Sequence, residues 1–459
     1  MHQNLPNLNI MVITVNHKLT ISLFLIWIFA LPFVSYSQVN PENDVNLAVD
    51  TLNAKVETVK SDMDLAKKLK ISGYVQAQWQ LADTAGQSSS FSGGNFPKNS
   101  DNRFQLRRGR IKFGYKGKLT QFVFQIDATQ SGVALRDAYM NFTDPWLQMF
   151  TVTGGLFKRP FGYEVLQSSG DRETPERSRI AQSLFPGERD LGAMITIQPR
   201  KESRFNFIRL SAALISGNAI APEIDSRKDF VGQLGINRTT RNEAFRYAMN
   251  VSYYNGGYFQ ETKKVYTLES LANGIYGYIV DSTETNKGEY AKRQYFGADA
   301  QFVYDWKPGT TTIRGEYIFG DQPGSAKSNL SPTNRTFSST DPLDTYNRHF
   351  SGGYVYFIQN ILHSRHEIVI KYDWFDPNTR VAGNEIVSAV TVEEASVKTD
   401  MSAADIMYST WGFGYSVRIA SNVKLTAYYE MVKNETTQLA GFAKDVKDNV
   451  LTIRAQFKF

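Results

Sequence analysis

Arg108, Arg110 and Lys112 stand two residues apart in the run Leu106-Arg107-Arg108-Gly109-Arg110-Ile111-Lys112-Phe113. On an extended strand this spacing puts three cations on one face, like rungs. A unit charge about 5 Å from a passing ion, at an effective dielectric between about 20 and 80, contributes roughly 1–3 kcal/mol. A ladder of three would therefore favour anions strongly, unless nearby carboxylates cancel it; rows of positive side chains are how anion pores are built. A second concentration of charge lies in 158–188 and its edge, with Glu164, Asp171, Arg172, Glu173, Glu176, Arg177, Arg179, Glu188 and Arg189. Folded across a channel, a loop carrying both signs would set up a transverse field that filters solutes by charge and size. Left outside, the same loop would be a solvated segment with internal Arg–Glu pairs.

Other chemistry is poorly supplied. The 459 residues contain no cysteine, which excludes disulfides, thiolate metal sites and a cysteine nucleophile. His363 and His366 have a helical ligand spacing but sit on a turn leading into a strand, where they would face opposite ways, so no metal site is expected. No Ser and His are placed as a hydrolytic pair, and no enzyme is expected. Gly73, Gly93-Gly94 and Gly256-Gly257 lack the strand-to-helix setting of a phosphate-cradling loop, and no cofactor is expected. The 51 basic and 45 acidic residues are well mixed, with a net charge of +6, unlike the basic stripe of a nucleic-acid binder.

The elements that would position the charges can be read in order. Leu19 to Val34 is almost unbroken in apolar residues and is followed by Ser35-Tyr36-Ser37. This is the form of a secretory signal, so residues 1–37 are expected to be a cleaved leader, with Met1 or Met11 as the start. Residues 38–70 are then a periplasmic N-terminal segment, in which Leu52, Val56, Val59, Met63 and Ala66 follow a four-three-four-three spacing. That is a short coiled-coil stripe or a loosely helical leader.

From Ile71 the period becomes two. In 450–459, Leu451, Ile453, Ala455, Phe457 and Phe459 alternate with Thr452, Arg454, Gln456 and Lys458. The same rhythm recurs in 296–306, 367–374, 411–419 and 422–431, in runs close to the 9–11 residues a tilted strand needs to cross a bilayer. Sixteen such strands can be placed, near 71–81, 103–116, 119–130, 133–143, 147–157, 189–198, 204–216, 229–238, 244–255, 292–306, 310–320, 348–360, 364–376, 409–419, 422–433 and 449–459. Tight turns at 116–118, 144–145, 199–203, 307–309 and 420–421 alternate with long polar stretches at 82–102, 158–188, 256–291, 321–347, 377–408 and 434–448. Short turns at one end and long loops at the other mark an outer-membrane barrel, whereas a soluble sandwich has no reason to sort them. Aromatics at strand ends (Trp306, Tyr372, Trp374, Phe457, Phe459) fit interfacial girdles, and a final Phe459 is similar to the assembly signal of bacterial barrels. The expected fold is all-β: a sixteen-stranded antiparallel transmembrane barrel over 71–459, in the bacterial outer membrane, preceded by a short helical leader.

Sixteen strands leave an aqueous lumen. Since lipid-facing positions must be apolar, charged strand residues are assigned inward: Arg108, Arg110, Lys112, Arg209, Arg246, Arg314, Lys371 and Arg418 as anion-binding candidates. Lys424, Arg454, Lys458, Asp127, Asp299, Glu316, Glu367, Asp373 and Glu430 follow the same rule. The third connection on the long-loop side, 158–188, is the candidate constriction, with Arg172, Glu173, Glu176, Arg177, Arg179 and Arg189 as its filter residues. Two functions are consistent with this: a passive pore for small hydrophilic solutes, or a surface barrel whose loops bind a polysaccharide or protein partner without open-pore transport.

The run 106–113, with Gly117-Lys118-Leu119, Phe124-Gln125-Ile126-Asp127, Leu135-Arg136-Asp137-Ala138-Tyr139, 155–164 (Gly-Leu-Phe-Lys-Arg-Pro-Phe-Gly-Tyr-Glu), Glu176-Arg177-Ser178 and Arg189-Asp190-Leu191-Gly192, resembles the phosphate-selective porin O and P family. The resemblance is clear over about 100–200. It implies a sixteen-stranded homotrimer in outer-membrane lipid, with an arginine-rich passage favouring small anions such as phosphate. The family's lysine cluster has no residue-by-residue match; Lys263-Lys264 is the nearest candidate.

Overall fold

The computed structural model describes residues 41–88, 90–271, 275–333, 335, 342–388, 397–398 and 401–459. The expected signal segment 1–37 lies outside them. The chain divides into two units at Leu65/Ala66. Pro41–Lys68 is a 28-residue helix, all but its last three residues in the first unit and longer than the spacing alone required. Along it Val49, Leu52, Val56, Val59 and Met63 are all exposed.

The second unit is a closed antiparallel barrel. Its sixteen strands are β1 (Leu69–Ala82), β2 (Asn102–Lys116), β3 (Thr120–Thr129), β4 (Gly132–Thr143), β5 (Phe150–Lys158), β6 (Arg189–Ile197), β7 (Ile208–Ile215), β8 (Asp229–Thr239), β9 (Phe245–Phe259), β12 (Tyr290–Trp306), β13 (Gly309–Gly324), β14 (Thr345–Asn360), β15 (His366–Asp376), β17 (Tyr408–Ala420), β18 (Val423–Asn434) and β19 (Val450–Lys458). Each pairs with the next, and β19 pairs back onto β1 from Tyr74↔Lys458 to Ala82↔Val450. Gly73 and Phe459 exchange two backbone hydrogen bonds of 2.9 Å across this seam. Closure gives the edges their partners, which is what a strand protein in hydrocarbon requires.

The alternation seen in the sequence becomes a two-faced wall. Phe296, Phe319, Trp411, Phe413 and Phe457 are exposed outward, while Gln76, Gln78, Gln80, Thr452 and Arg454 are buried inside. All sixteen expected strands are present. The expected alternation of loop lengths has one exception: β3 and β4 are joined on the long-loop side by only Gln130 and Ser131. Long loops also carry structure that period-two reading passed over. A hairpin of β10 (Val265–Ser270) and β11 (Tyr276–Asp281) stands above the rim, and β11 pairs with β16 (Val397–Lys398). Tyr266, Leu268, Tyr278, Tyr346, Ile386, Met401, Ile406 and Leu439 pack together there, around a buried Arg348–Asp405 ion pair of 2.8 Å.

At the short-turn end, the carboxylate of Asp144 accepts the backbone N–H groups of Leu147, Gln148, Met149 and Phe150 at 2.6–3.1 Å. These bonds, that from Phe150 foremost, hold its carboxyl down to about 2.

Candidate functional site

The chain leaves β5 at Lys158 and re-enters the wall at Arg189, and between them it folds into the barrel. Two glycines permit this path. Gly155 has φ +121° and a Cβ there would meet the Ala138 carbonyl. Gly162 has φ +58° and a Cβ there would run into the Glu316 carboxylate.

The loop is anchored differently on its two sides. On one, Phe161, Val165, Ile180, Leu184 and Phe185 pack against the inward residues Ala213, Ile215, Val231, Tyr254, Tyr295, Ile318, Phe350 and Phe375, all nearly inaccessible. The rings of Phe161 and Phe185 lie 4.8 Å apart, tilted by 39°, and both meet Tyr295 edge-on. The lumen is therefore not wet throughout, as strict alternation implies. Removing these side chains from water fixes the loop to β7–β15.

On the other side the anchor is ionic. Glu176 reaches Arg107 and Arg108 of β2 at 2.8 Å each and Arg454 of β19 at 2.9 Å. Burial pushes its carboxyl up, but Arg107, Arg108 and Arg454 hold it well below the usual range. Glu173 bonds Arg314 of β13 at 3.2 Å, and Arg314 lies 4.1 Å over the ring of Tyr163. Glu164 accepts from Ser178 N at 2.8 Å and from Tyr356 Oη at 2.6 Å, with Lys371 at 3.9 Å. Lys371 itself pairs with Asp373 at 3.0 Å. Glu188 joins Arg177 and Arg189, and Arg189 continues to Asp137 at 2.9 Å. Arg110 bonds Asp127 at 2.7 Å and Ser169 Oγ at 2.8 Å.

The expected site residues thus fall into three groups. Arg108, Arg110, Arg314, Lys371, Arg177 and Arg189 are brought together with Glu173 and Glu176 in one web binding loop to wall. Arg179 stands apart, 4.3 Å from the ring of Phe91 and 4.0 Å from that of Tyr408. Lys112, Arg209 and Arg418 line cavities in the lumen without an ion-pair partner among the described residues, whereas Arg246 is exposed at the start of β9 beside the short turn, where its charge reaches Asp305. Of the cation ladder on β2, only Lys112 is uncommitted.

Arg172 is unlike the rest. It is 3% exposed, yet none of its three guanidinium nitrogens has a hydrogen-bond partner among the described residues. Burial, together with the positive charges of Arg177 and Arg108, pushes its guanidinium down to about 9.

Below the loop, toward the short turns, the lumen opens. A cavity of about 690 Å³ is lined by Arg110, Lys112, Lys158, Arg189, Arg209 and Lys458 among others, and one of about 940 Å³ shares Arg209 and adds Arg238. A smaller one of about 300 Å³ has Arg418, Lys424 and Lys458 in its wall. Among the described residues Asp137 and Asp171 are the only carboxylates lining these three, so the vestibule is positive on balance.

Two participants escape alternation because they sit at bulges. Arg107 is the extra residue where the β1–β2 register shifts between Gln76 and Ala77, and it turns inward to Glu176. Arg136 is the extra residue opposite Gln125/Ile126 and reaches Asp127 at 3.4 Å. A charged side chain on lipid-facing parity was the available signal for each.

Solved structures similar to the chain include the outer-membrane channel DcaP of Acinetobacter baumannii, at TM-score 0.49 and 12% identity over 85% of this chain and 97% of that one. They also include Salmonella typhi OmpF, at 0.47 and 12% over 85% and 97%. The trimer form of Vibrio cholerae OmpT matches at 0.46 and 9% over 85% and 99%. No curated protein matches in sequence. Residues 87–357, more than half of the chain, match the family described as phosphate-selective porin O and P. With a closed sixteen-stranded wall around a charged, loop-narrowed lumen, the chain belongs to that family and is a channel for small solutes in the bacterial outer membrane.

Proposed function

We propose that the channel works by passive diffusion, prefers anions, phosphate among them, and assembles as a homotrimer. The observation that carries the anion reading is the surplus of uncommitted positive charge on the solute's path. Lys112, Arg209 and Arg418 line the vestibule without ionic partners among the described residues, and the loop's Arg172 has no hydrogen-bond acceptor among them. A guanidinium keeps its proton; Glu176 and Glu188 offset part of the cost of burying Arg172, and a small anion would supply the hydrogen-bond acceptor it lacks. The paired cations of the web supply rigidity; the unpaired ones supply attraction. The homotrimer rests on the family resemblance alone.

The test is the reversal potential of purified protein in a planar bilayer under a salt gradient, with chloride and then phosphate as the anion. An anion-selective potential, retained or strengthened in phosphate, supports the reading; a cation-selective one sinks it. The packed aromatic cluster around Phe161 and Phe185 favours one other reading, a blocked barrel whose loops bind a polysaccharide or protein. Absence of conductance together with ligand binding by the loops would select it.

A further inference from the structure

The helix Pro41–Lys68 carries an apolar stripe at Val49, Leu52, Val56, Val59, Met63 and Ala66. One step back in the sequence the same spacing lands on Val45, so the four-three alternation spans three heptads. The five large stripe residues are between 43% and 61% exposed, so the stripe is left bare within one chain.

The spacing and the charges say what covers it. A repeat of 3.5 residues keeps a stripe in register only against another helix with the same repeat, through a left-handed supercoil. A helix lying on a lipid surface would instead carry a broad apolar face with aromatics and a basic polar face. This one has no aromatic residue, and Asp50, Glu57 and Asp64 lie opposite the stripe. We infer that the helix forms a parallel three-stranded coiled coil with the same helix of two other copies. In heptad terms Val49, Val56 and Met63 occupy a, and Leu52, Val59 and Ala66 occupy d. Val56 at a with Val59 at d suits three strands, whereas Val49 with Leu52 suits two. Copies inserted in one membrane share a direction, which makes the bundle parallel. The number of strands rests on the homotrimer proposed above.

The chain has no cysteine, so single cysteines report the geometry without background. The native assembly is first weighed in detergent, and Leu52→Cys, Val56→Cys and Asp50→Cys are then oxidised in the full-length protein. In a three-stranded coil one disulfide joins two of three core cysteines, so about two-thirds of the chains should run as a two-chain product and the rest singly. Asp50→Cys, on the outer face, should stay single. No product from the core positions, equal product from Asp50→Cys, or complete conversion to pairs overturns the coil. A native monomer would instead remove the homotrimer reading, and the coil with it. A three-copy assembly without core cross-links removes the coil alone.

Discussion

Arg107 and Glu176 are 69 residues apart in the chain and meet at 2.8 Å because a bulge in β2 turns the arginine into the barrel. Arg108 and Arg454 close on the same carboxylate, so one glutamate balances three guanidinium groups where loop meets wall.

Replacing that carboxylate should therefore be costly. Glu176→Gln leaves buried arginines uncompensated and is expected to destabilise the barrel by about 3–5 kcal/mol. A lowered midpoint in urea unfolding from detergent checks this. A change under about 1 kcal/mol would mean that the web does not hold the loop.

Arg172 should behave in the opposite sense. Arg172→Met keeps the bulk and removes an unpartnered buried charge, so stability should hold or rise by roughly 1–2 kcal/mol. Phosphate and chloride should protect the parent protein against unfolding more than this variant. A marked loss of stability in anion-free buffer would show that Arg172 has a protein partner after all.

The vestibule cations can be reversed without touching the web. Lys112→Glu with Arg209→Glu should shift the reversal potential toward cations, while heat-resistant mobility on gels stays unchanged. Equal selectivity in parent and variant would remove these residues from the path.

Acid should loosen the loop. Glu164, Glu173, Glu176 and Glu188 are each pushed up by burial, but their basic and hydrogen-bonding partners hold all four below the ordinary value of 4.5. A carboxylate depressed in the folded state contributes stability that is complete above its unfolded value and lost as pH falls through the folded one. Melting temperature should not fall between pH 7 and about 5 and should fall below about 4, with a shallower fall in Glu176→Gln. A fall beginning near neutrality would contradict the assignment.

Gly162→Val tests the loop's path. The side chain would collide with Glu316 in a left-handed backbone conformation, so the loop should shift off the wall. Single-channel conductance should change and trypsin should cut at the loop's arginines faster than in the parent. Unaltered conductance and proteolysis would show that the loop tolerates the displacement.

The wall was legible in the sequence because lipid tests every second residue. Phe296, Phe319 and Phe413 have no polar alternative, so their alternation is strict enough to count strands. The inward set was legible for the same reason, and Arg108, Arg314 and Lys371 all point into the lumen. The loop's apolar anchor was not. Phe161, Ile180 and Phe185 lie among charged residues, and their partners Tyr254, Phe350 and Phe375 come from strands far along the chain. No local period announces a contact made across a lumen. Bulges hide residues differently, since one extra position reverses the face that alternation assigns, as at Arg107 and Arg136.

The seam between β1 and β19 carries a timing consequence. Each strand is the other's only cover on that side, and they are separated by nearly the whole barrel in the order of synthesis. For as long as the second is unfinished or unfolded, the first presents bare amides and carbonyls, a template for any stray strand. Such a molecule cannot mature piecemeal as it emerges. It has to be shepherded, unfolded, until both ends of the cylinder are available to be stitched.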